Sequence, residues 1–409
     1  MKQHYSPKEH ATAIVLSGGG ARAAYQVGVL QAISRLRQKA GEEGAPTPFP
    51  IVVGTSAGAI NAAALACSAD HFAQAVQRLS RVWRNFSSDQ VFFTDELPVS
   101  NHSPHWMSFI SSAVKLAHLY QRHPVSLLNN RPLLRLLEAQ LPLERIPRLF
   151  HARQLDAVAV TGSNYTTGEH IVFYEAASHV PGWSKTKRRA VQARITHHHL
   201  MASTAIPLLF PPEELYVQGQ YNYFGDGAVR HATPLAPAVH LGAKRIVVID
   251  VGEPQQKVVP SHGQHGYPPH WAQIVGHLLN NIFLDAIPMD IERAQHVNRT
   301  LSLMTAAEAQ DSGLRALDIL VFSPSRSLNT IAQSYMAALQ APVFNLLGAS
   351  SAPNPDSASL ASYLLFERGY TRAVIDLGRQ DAMERKDEIC AFFGWHGACT
   401  ELNKGVNKR

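Results

Sequence analysis

Short, unbroken apolar runs rich in β-branched residues are the feature that most constrains the fold of this 409-residue chain. They lie at 13–16, 51–53, 158–161, 246–251 and 319–322. Strands of this kind are typical of a parallel sheet that is covered by helices on both faces. Helical stretches separate the runs; residues 23–36, for example, place Val27, Leu30 and Ile33 at helical spacing. The alternation predicts an α/β architecture.

The overall composition favours a globular protein. Hydrophobic residues make up 45% of the chain, enough for a sizeable core. The sequence contains no run of about 18 apolar residues, the length that a membrane-spanning helix needs. The first apolar run is too short for a signal peptide. The net charge of +6 fits either scattered surface charge or attraction to an anionic surface. We expect a cytoplasmic protein with peripheral membrane contact.

The three cysteines form no disulfide framework and show no CxxC spacing. Cys390 and Cys399 could pair, but free thiols in a reducing compartment are the simpler interpretation.

The run Gly54-Thr55-Ser56-Ala57-Gly58 follows one predicted strand and precedes the small-residue stretch AINAAALAC. Strand, turn and helix around G-x-S-x-G are the context of a nucleophile elbow, a strained turn that presents the serine hydroxyl. The small residues would let the following helix lie close to the sheet. We therefore predict that Ser56 is the nucleophile of an ester hydrolase.

A second glycine-rich run, Ser17-Gly18-Gly19-Gly20-Ala21-Arg22, also lies between a predicted strand and a helix. Backbone N–H groups beside a helix N-terminus favour negative charge, which in acyl transfer is the oxyanion of the tetrahedral intermediate. The run also fits the dinucleotide pattern G-x-G-x-x-A, which needs an acidic residue at the end of the next strand. That strand leads into Ser56 instead, so the oxyanion interpretation is favoured.

A serine nucleophile needs a base, and the residues alone leave its identity open. Histidine is the usual base, but the chain has 21 of them, and their positions single out none. The adjacent histidines 197–199 cannot all face one metal ion. Asp226, between Gly225 and Gly227, is either a turn residue or the base.

Four runs, in this order, resemble the motifs of the patatin-like phospholipases: SGGGAR (17–22), GTSAG (54–58), a run from ASTAIP to FPP (202–212) and GDGA (225–228). The likeness covers roughly residues 11–250. It implies an α/β fold, a three-layer sandwich with a mostly parallel central sheet. A catalytic domain at 11–255 would be followed by a mainly helical region at 270–409 of unknown role.

The resemblance also implies a Ser–Asp dyad without histidine, in which Ser56 is the nucleophile and Asp226 its base. The oxyanion loop would comprise Gly18, Gly19 and Gly20, with Arg22 close by. The other motif positions are Gly54, Gly58, Gly227 and Ala228. The implied activity is lipid acyl hydrolysis of the phospholipase A or lysophospholipase type, with no cofactor and no metal. The chain departs from the family at Ala23, where glycine is common.

Two segments bear on how a lipid substrate would reach the site. Residues 105–120 carry an apolar stripe at helical spacing, which fits either a core helix or a lid over the active site. The basic run 185–189 is either a solvated face or a contact for anionic head groups. No feature supports a nucleic-acid partner, and the oligomeric state is left open.

Two rival interpretations remain. An α/β-hydrolase triad could use Asp250 with His262, His265 or His270. That fold normally places several strands before the nucleophile strand, however, and only about 50 residues precede Ser56 here. A catalytically silent membrane- or protein-binding module is disfavoured because Ser56 and Asp226 are both intact.

Overall fold

A computed structural model of the chain describes residues 11–93, 126–230, 233–254, 286–346 and 355–395. One ten-stranded sheet runs through these residues in the order β10-β9-β1-β2-β3-β4-β6-β5, and β8 pairs with β3 and β7. The strands are β1 (Thr12–Leu16), β2 (Ile51–Gly54), β3 (Ala157–Asn164), β4 (His170–Ala176), β5 (Ser184–Lys185), β6 (Arg188–Gln192), β7 (Glu213–Val217), β8 (Gln220–Asp226), β9 (Arg245–Ile249) and β10 (Asp318–Phe322).

Helices cover the sheet and make up most of the described chain after β10. Those before β9 are α1 (Ala24–Lys39), α2 (Ala57–Ala66), α3 (Phe72–Arg84), α4 (Arg131–Gln140), α5 (Ile146–His151), α6 (His197–Thr204) and α7 (Ala236–His240). Those after β9 are α8 (Ala286–Ser302), α9 (Ala306–Asp311), α10 (Leu328–Gln333), α11 (Ala341–Leu346), α12 (Pro355–Leu364), α13 (Arg368–Glu384) and α14 (Lys386–Phe393).

The central strands β10, β9, β1, β2 and β3 are all parallel to one another. Alternate residues of β1 enter different cores, because successive side chains of a strand point to opposite faces. Ile14 and Leu16 pack into the core that holds α1, α2 and α3. Ala13 and Val15 pack into a second core with residues of α7 and α8. Helices thus cover both faces, and the predicted α/β sandwich with a mostly parallel central sheet is confirmed.

The five predicted strands correspond to β1, β2, β3, β9 and β10, and the predicted helix at 23–36 corresponds to α1. The strands β4 to β8 were not predicted from the sequence. Those strands lie at one side of the sheet in mainly antiparallel pairs. In β5 to β8 several residues face outward and are polar, as in the half-exposed β6, which interrupts the apolar pattern. β4 does contain a buried apolar run, residues 171–174, which was overlooked.

β10 pairs with β9, so the chain after residue 270 contributes a strand to the central sheet as well as helices. The division into 11–255 and 270–409 stays a prediction. The apolar stripe at 105–120 lies outside the described residues.

Across the part of the chain that the structure describes, no helix is both long enough and apolar enough to cross a bilayer. Cys67 is a buried free thiol. Cys390 is disulfide-bonded, so the expectation of free thiols is wrong for this cysteine.

Candidate active site

Ser56 occupies a sharp turn between the end of β2 and the start of α2. Its backbone angles, φ 55° and ψ −132°, lie in a region that non-glycine residues adopt only under strain. A Cβ atom on Gly58 would lie 2.4 Å from the carbonyl oxygen of Leu16, and one on Gly54 would lie 2.4 Å from that of Gly58. The two motif glycines are therefore required because α2 packs directly against the backbone of β1 and β2.

Asp226 is the last residue of β8 and faces Ser56. The Ser56 hydroxyl donates a hydrogen bond to Asp226 Oδ2 at 2.5 Å. Asp226 reaches this position because β8 pairs with β3, where Asp226 lies opposite Gly162. The backbone N–H of Ala228 donates to Asp226 Oδ1 at 2.9 Å and fixes the plane of the carboxylate. The predicted nucleophile and the predicted base are thus in direct contact.

The environment of Asp226 makes its carboxylate a better proton acceptor. The side chain is 0% exposed, and burial raises the pKa of Asp226 to about 7, although the hydrogen bonds from Ser56 and Ala228 act in the opposite direction. An ordinary aspartate has a pKa near 3.9 and is a weak base. A base with a pKa near the working pH suits general base catalysis.

Ser203 supports the elbow from α6, a role that the sequence analysis did not assign. The backbone N–H of Ser56 donates to Ser203 Oγ at 2.9 Å, and Ser203 is fully buried. The hydroxyl groups of Thr55 and Thr161 also lie 2.9 Å apart, which ties the elbow to β3. The only sequence signal for Ser203 was its place in the run 202–212.

The glycine loop Gly18–Gly20 connects β1 to the 3₁₀ turn Gly20–Ala23 and is buried. It is tied to α2 through two side-chain amides. Gln26 Nε2 donates to the carbonyl oxygen of Ser17 at 2.8 Å, and Asn61 Nδ2 donates to Gln26 Oε1 at 2.8 Å. Because α2 also begins at the elbow, this chain of hydrogen bonds fixes the loop relative to the nucleophile.

Gly20 lines the same cavity as Ser56. Arg22, predicted close to the oxyanion loop, extends its side chain into the C-terminal helices, where it is fully buried. The loop's backbone and the Arg22 guanidinium therefore face different surroundings.

A cavity extends from Ser56 between α2, α3 and α4; the space within it, including the part open to solvent, is about 950 Å³. Its walls are mostly apolar, and α2 contributes the positions Ala57, Ile60, Ala64 and Cys67. These residues recur every three or four positions and so lie on one face of the helix. From Ser56 to Cys67 this face is about 16 Å long, at about 1.5 Å per residue.

Among the other candidates from the sequence, His262, His265 and His270 lie outside the described residues. His197 contacts the carbonyl oxygen of Leu141, and His198 pairs with Glu213. Within the described ranges no three His, Cys, Asp or Glu side chains are grouped as metal ligands. Asp250 is buried beside Ser17, and burial raises its pKa to about 6.

A family model described as patatin-like phospholipase matches residues 14–239, more than half of the chain. The chain belongs to the patatin-like phospholipase family. This confirms the resemblance, and with it lipid acyl hydrolase activity at the level of the family. The matched residues include Ser56 and Asp226, whereas α8 to α14 follow the match.

Comparison with curated protein sequences gives no match. Among solved structures, the chain is similar to the crystal structure of VipD from Legionella pneumophila, at 12% sequence identity and a TM-score of 0.37. That likeness covers 94% of this chain and 68% of VipD.

Proposed function

We propose that this patatin-like phospholipase cleaves carboxylic ester bonds of phospholipids or lysophospholipids with a Ser56–Asp226 dyad. The observation that carries the proposal is the 2.5 Å hydrogen bond from the Ser56 hydroxyl to the fully buried Asp226 carboxylate. A serine in a strained elbow, bonded to a base with a pKa of about 7, is poised to lose its proton as it attacks.

In the first half of the proposed cycle, Ser56 Oγ attacks the carbonyl carbon of the acyl ester while its proton passes to Asp226 Oδ2. The carbonyl π electrons move onto oxygen, and N–H groups of Gly18–Gly20 stabilise the resulting oxyanion. When the intermediate collapses, the ester C–O bond breaks. The leaving alcohol takes the proton from Asp226, and the acyl group stays on Ser56.

In the second half, water attacks the acyl-enzyme and gives its proton to Asp226. The second tetrahedral intermediate expels Ser56 Oγ, which takes the proton back. A free fatty acid leaves, and both residues return to their starting states. Asp226 therefore serves as base and then as acid in each half, so no histidine is required.

The cavity supports a substrate with a long acyl chain. Apolar residues of α2, α3 and α4 line most of it, and it extends along α2 from Ser56 as far as Cys67. Transfer of an acyl chain into such walls is favourable by about 0.8 kcal/mol for each CH₂ group. This interior suits a lipid better than a short polar ester.

The test combines active-site labelling with product analysis on mixed phospholipid vesicles. We expect a fluorophosphonate probe to label the wild-type chain at Ser56, and mass spectrometry to detect released fatty acids and lysolipids. Ser56→Ala should lose both signals. Asp226→Asn should lower kcat by at least about 10³-fold, because one residue transfers the proton in every step. Asp290→Asn, at a buried aspartate on α8, is the matched control and should keep activity.

Near-normal hydrolysis by Asp226→Asn would contradict the dyad. The rival is a Ser–Asp–His triad with Asp250 as its carboxylate. That triad would replace the Ser56–Asp226 dyad if Asp250→Asn lost as much activity as Asp226→Asn and one of His262, His265 and His270 proved equally necessary. An unlabelled wild-type chain that releases no fatty acid would favour the silent binding module.

A further inference from the structure

The side chain of Arg22 leaves the glycine loop and enters a group of buried and partly buried residues, most of them from the C-terminal helices. Its Nε donates to Ser362 Oγ at 2.7 Å, and its Nη2 donates to Asn329 Oδ1 at 2.6 Å. The guanidinium carbon lies 4.1 Å from the centre of the Tyr363 ring. Glu253 Oε1 lies 3.6 Å from Nη1. We call these five residues the Arg22 cluster.

Because the Arg22 guanidinium is buried, it is stable only where its partners compensate its charge. A fully buried guanidinium is costly unless hydrogen bonds and opposite charge compensate it. Ser362, Asn329 and Glu253 supply that compensation at fixed points around its planar fork, and the Tyr363 ring adds a cation–π contact. The cluster therefore fixes the guanidinium, and with it the 3₁₀ turn Gly20–Ala23 to which Arg22 belongs.

The members of the cluster also hold one another. The backbone N–H of Asn329 donates to Glu253 Oε1 at 3.2 Å. The Ser362 hydroxyl donates to the carbonyl oxygen of Ser359 at 2.6 Å, which leaves its lone pairs for Arg22. The cluster thus joins α10 and α12 to the segment after β9.

A backbone contact reaches the loop directly. A Cβ atom on Gly20 would lie 2.2 Å from the carbonyl oxygen of Tyr363, so only glycine lets the loop pack against α12. Gly20 also has φ +55°, where side chains are disfavoured. Just after α12, Phe366 lines the cavity together with Gly20 and Ser56.

We propose that Asn329, Ser362 and Tyr363 are positioning residues for ester hydrolysis, which hold the glycine loop, through Arg22 and Gly20, where its N–H groups meet the oxyanion. This inference rests on the proposed function. The three residues lie beyond the segment 14–239 that the family model matches. The C-terminal helices would then complete the catalytic site of this chain.

The experiment measures kcat and KM of the full-length chain on a short p-nitrophenyl ester, with melting temperatures alongside. Asn329→Leu and Ser362→Ala each remove one acceptor from Arg22. We expect kcat to fall about 10- to 100-fold, because a displacement of about 1 Å in a catalytic group costs up to about 10²-fold. KM should stay within about twofold, since the cavity walls are unchanged. Asn329→Asp keeps the acceptor oxygen and should restore kcat.

Thr330→Val is the matched control, because Thr330 neighbours Asn329 on α10 and its side chain is exposed. Wild-type kcat in a folded Asn329→Leu or Ser362→Ala variant overturns the proposal. So does a change confined to KM, or an equal kcat loss in Thr330→Val. If Asn329→Leu does not fold, the smaller change Ser362→Ala decides. A wild-type chain that neither hydrolyses the ester nor labels at Ser56 overturns the proposed function, whereas an active wild type with unaffected variants overturns the positioning role alone.

Discussion

At the scale of single residues, the carboxyl of Asp226, the proposed base, is also a source of instability. Burial raises its pKa from 3.8 to about 7, so the folded chain keeps a proton that the unfolded chain releases between these pH values. Because the folded state binds more protons in this window, the free energy of unfolding falls as pH rises from about 4 to 7. At about 1.4 kcal/mol per pKa unit, the loss at pH 8 is on the order of 4 kcal/mol.

Asp226→Asn should therefore be more stable than the wild type at pH 8. The amide stays neutral, its oxygen can accept from Ala228 as Asp226 Oδ1 does, and its NH₂ group can donate to Ser56 Oγ. We expect a higher melting temperature for the variant at pH 8 and little difference near pH 3, where the carboxyl is mostly protonated in both states. Melting curves of both proteins across this range test this. A difference that does not change with pH would show that folding leaves the pKa of Asp226 unchanged.

The residues of the dyad could be predicted because each lies in a short local motif. Their supports could not. Ser203 lies 147 residues from Ser56, and Ser362 lies 340 residues from Arg22. Ser203 lies in a motif run that gave it no role, and Ser362 lies in none. Ser203 accepts from the backbone N–H of Ser56, and Ser362 accepts from the guanidinium of Arg22. Only the tertiary fold brings these donors and acceptors together.

At the scale of elements, α2 has two roles. It begins at the elbow, and its face toward α3 and α4 is a wall of the cavity. Most of α2 is fully buried, but Ile60 and Ala64 are only partly so, and both line the cavity. The small residues that the sequence analysis interpreted as close packing against the sheet thus also leave room for a substrate.

Ala64→Phe should shorten the acyl chain that the enzyme accepts. Ala64 is eight residues from Ser56, or about 12 Å along the helix. With C–C bonds of about 1.5 Å and angles of about 111°, an extended acyl chain advances about 1.25 Å per carbon and reaches Ala64 after about ten carbons. We expect kcat/KM to fall at least about tenfold for C16 p-nitrophenyl esters and to stay unchanged for C4 esters. Ala64→Ser, of similar size, is the control. Equal losses at every chain length would contradict this path.

Apart from β4, whose apolar run 171–174 is buried, the missed strands differ from the predicted ones in one physical respect. Strands buried on both faces, such as β1 and β9, are apolar after their first residue and stand out in a sequence. In β8 the residues Asn222 and Phe224 are buried, whereas Tyr221 and Tyr223 are exposed, so tyrosine and asparagine obscure the alternation. This is also the strand that delivers Asp226, and only its GDGA motif pointed to it.

At the scale of the whole molecule, two hairpins at one side of the sheet combine positive charge with exposed aromatic rings. Lys185 and Lys187 are exposed in the β5–β6 hairpin. Tyr216 and Tyr221 are exposed in the β7–β8 hairpin, with ring centres 5.1 Å apart. Arg189 donates to Gln218 at 2.8 Å and joins the hairpins. Tyrosine favours membrane interfaces, and lysine favours anionic head groups. We therefore expect this surface to make the peripheral membrane contact.

Reversing both lysine charges tests this surface. Near an anionic membrane each lysine contributes about 1 kcal/mol. Lys185→Glu with Lys187→Glu should therefore weaken binding to phosphatidylserine-containing vesicles at least about tenfold, measured by flotation at low salt. The difference should shrink as salt screens the charges. The control reverses two exposed charges elsewhere, Arg315→Glu with Arg326→Glu, and has the same net charge. Equal weakening in both proteins would mean that net charge alone, rather than these hairpins, draws the chain to the bilayer.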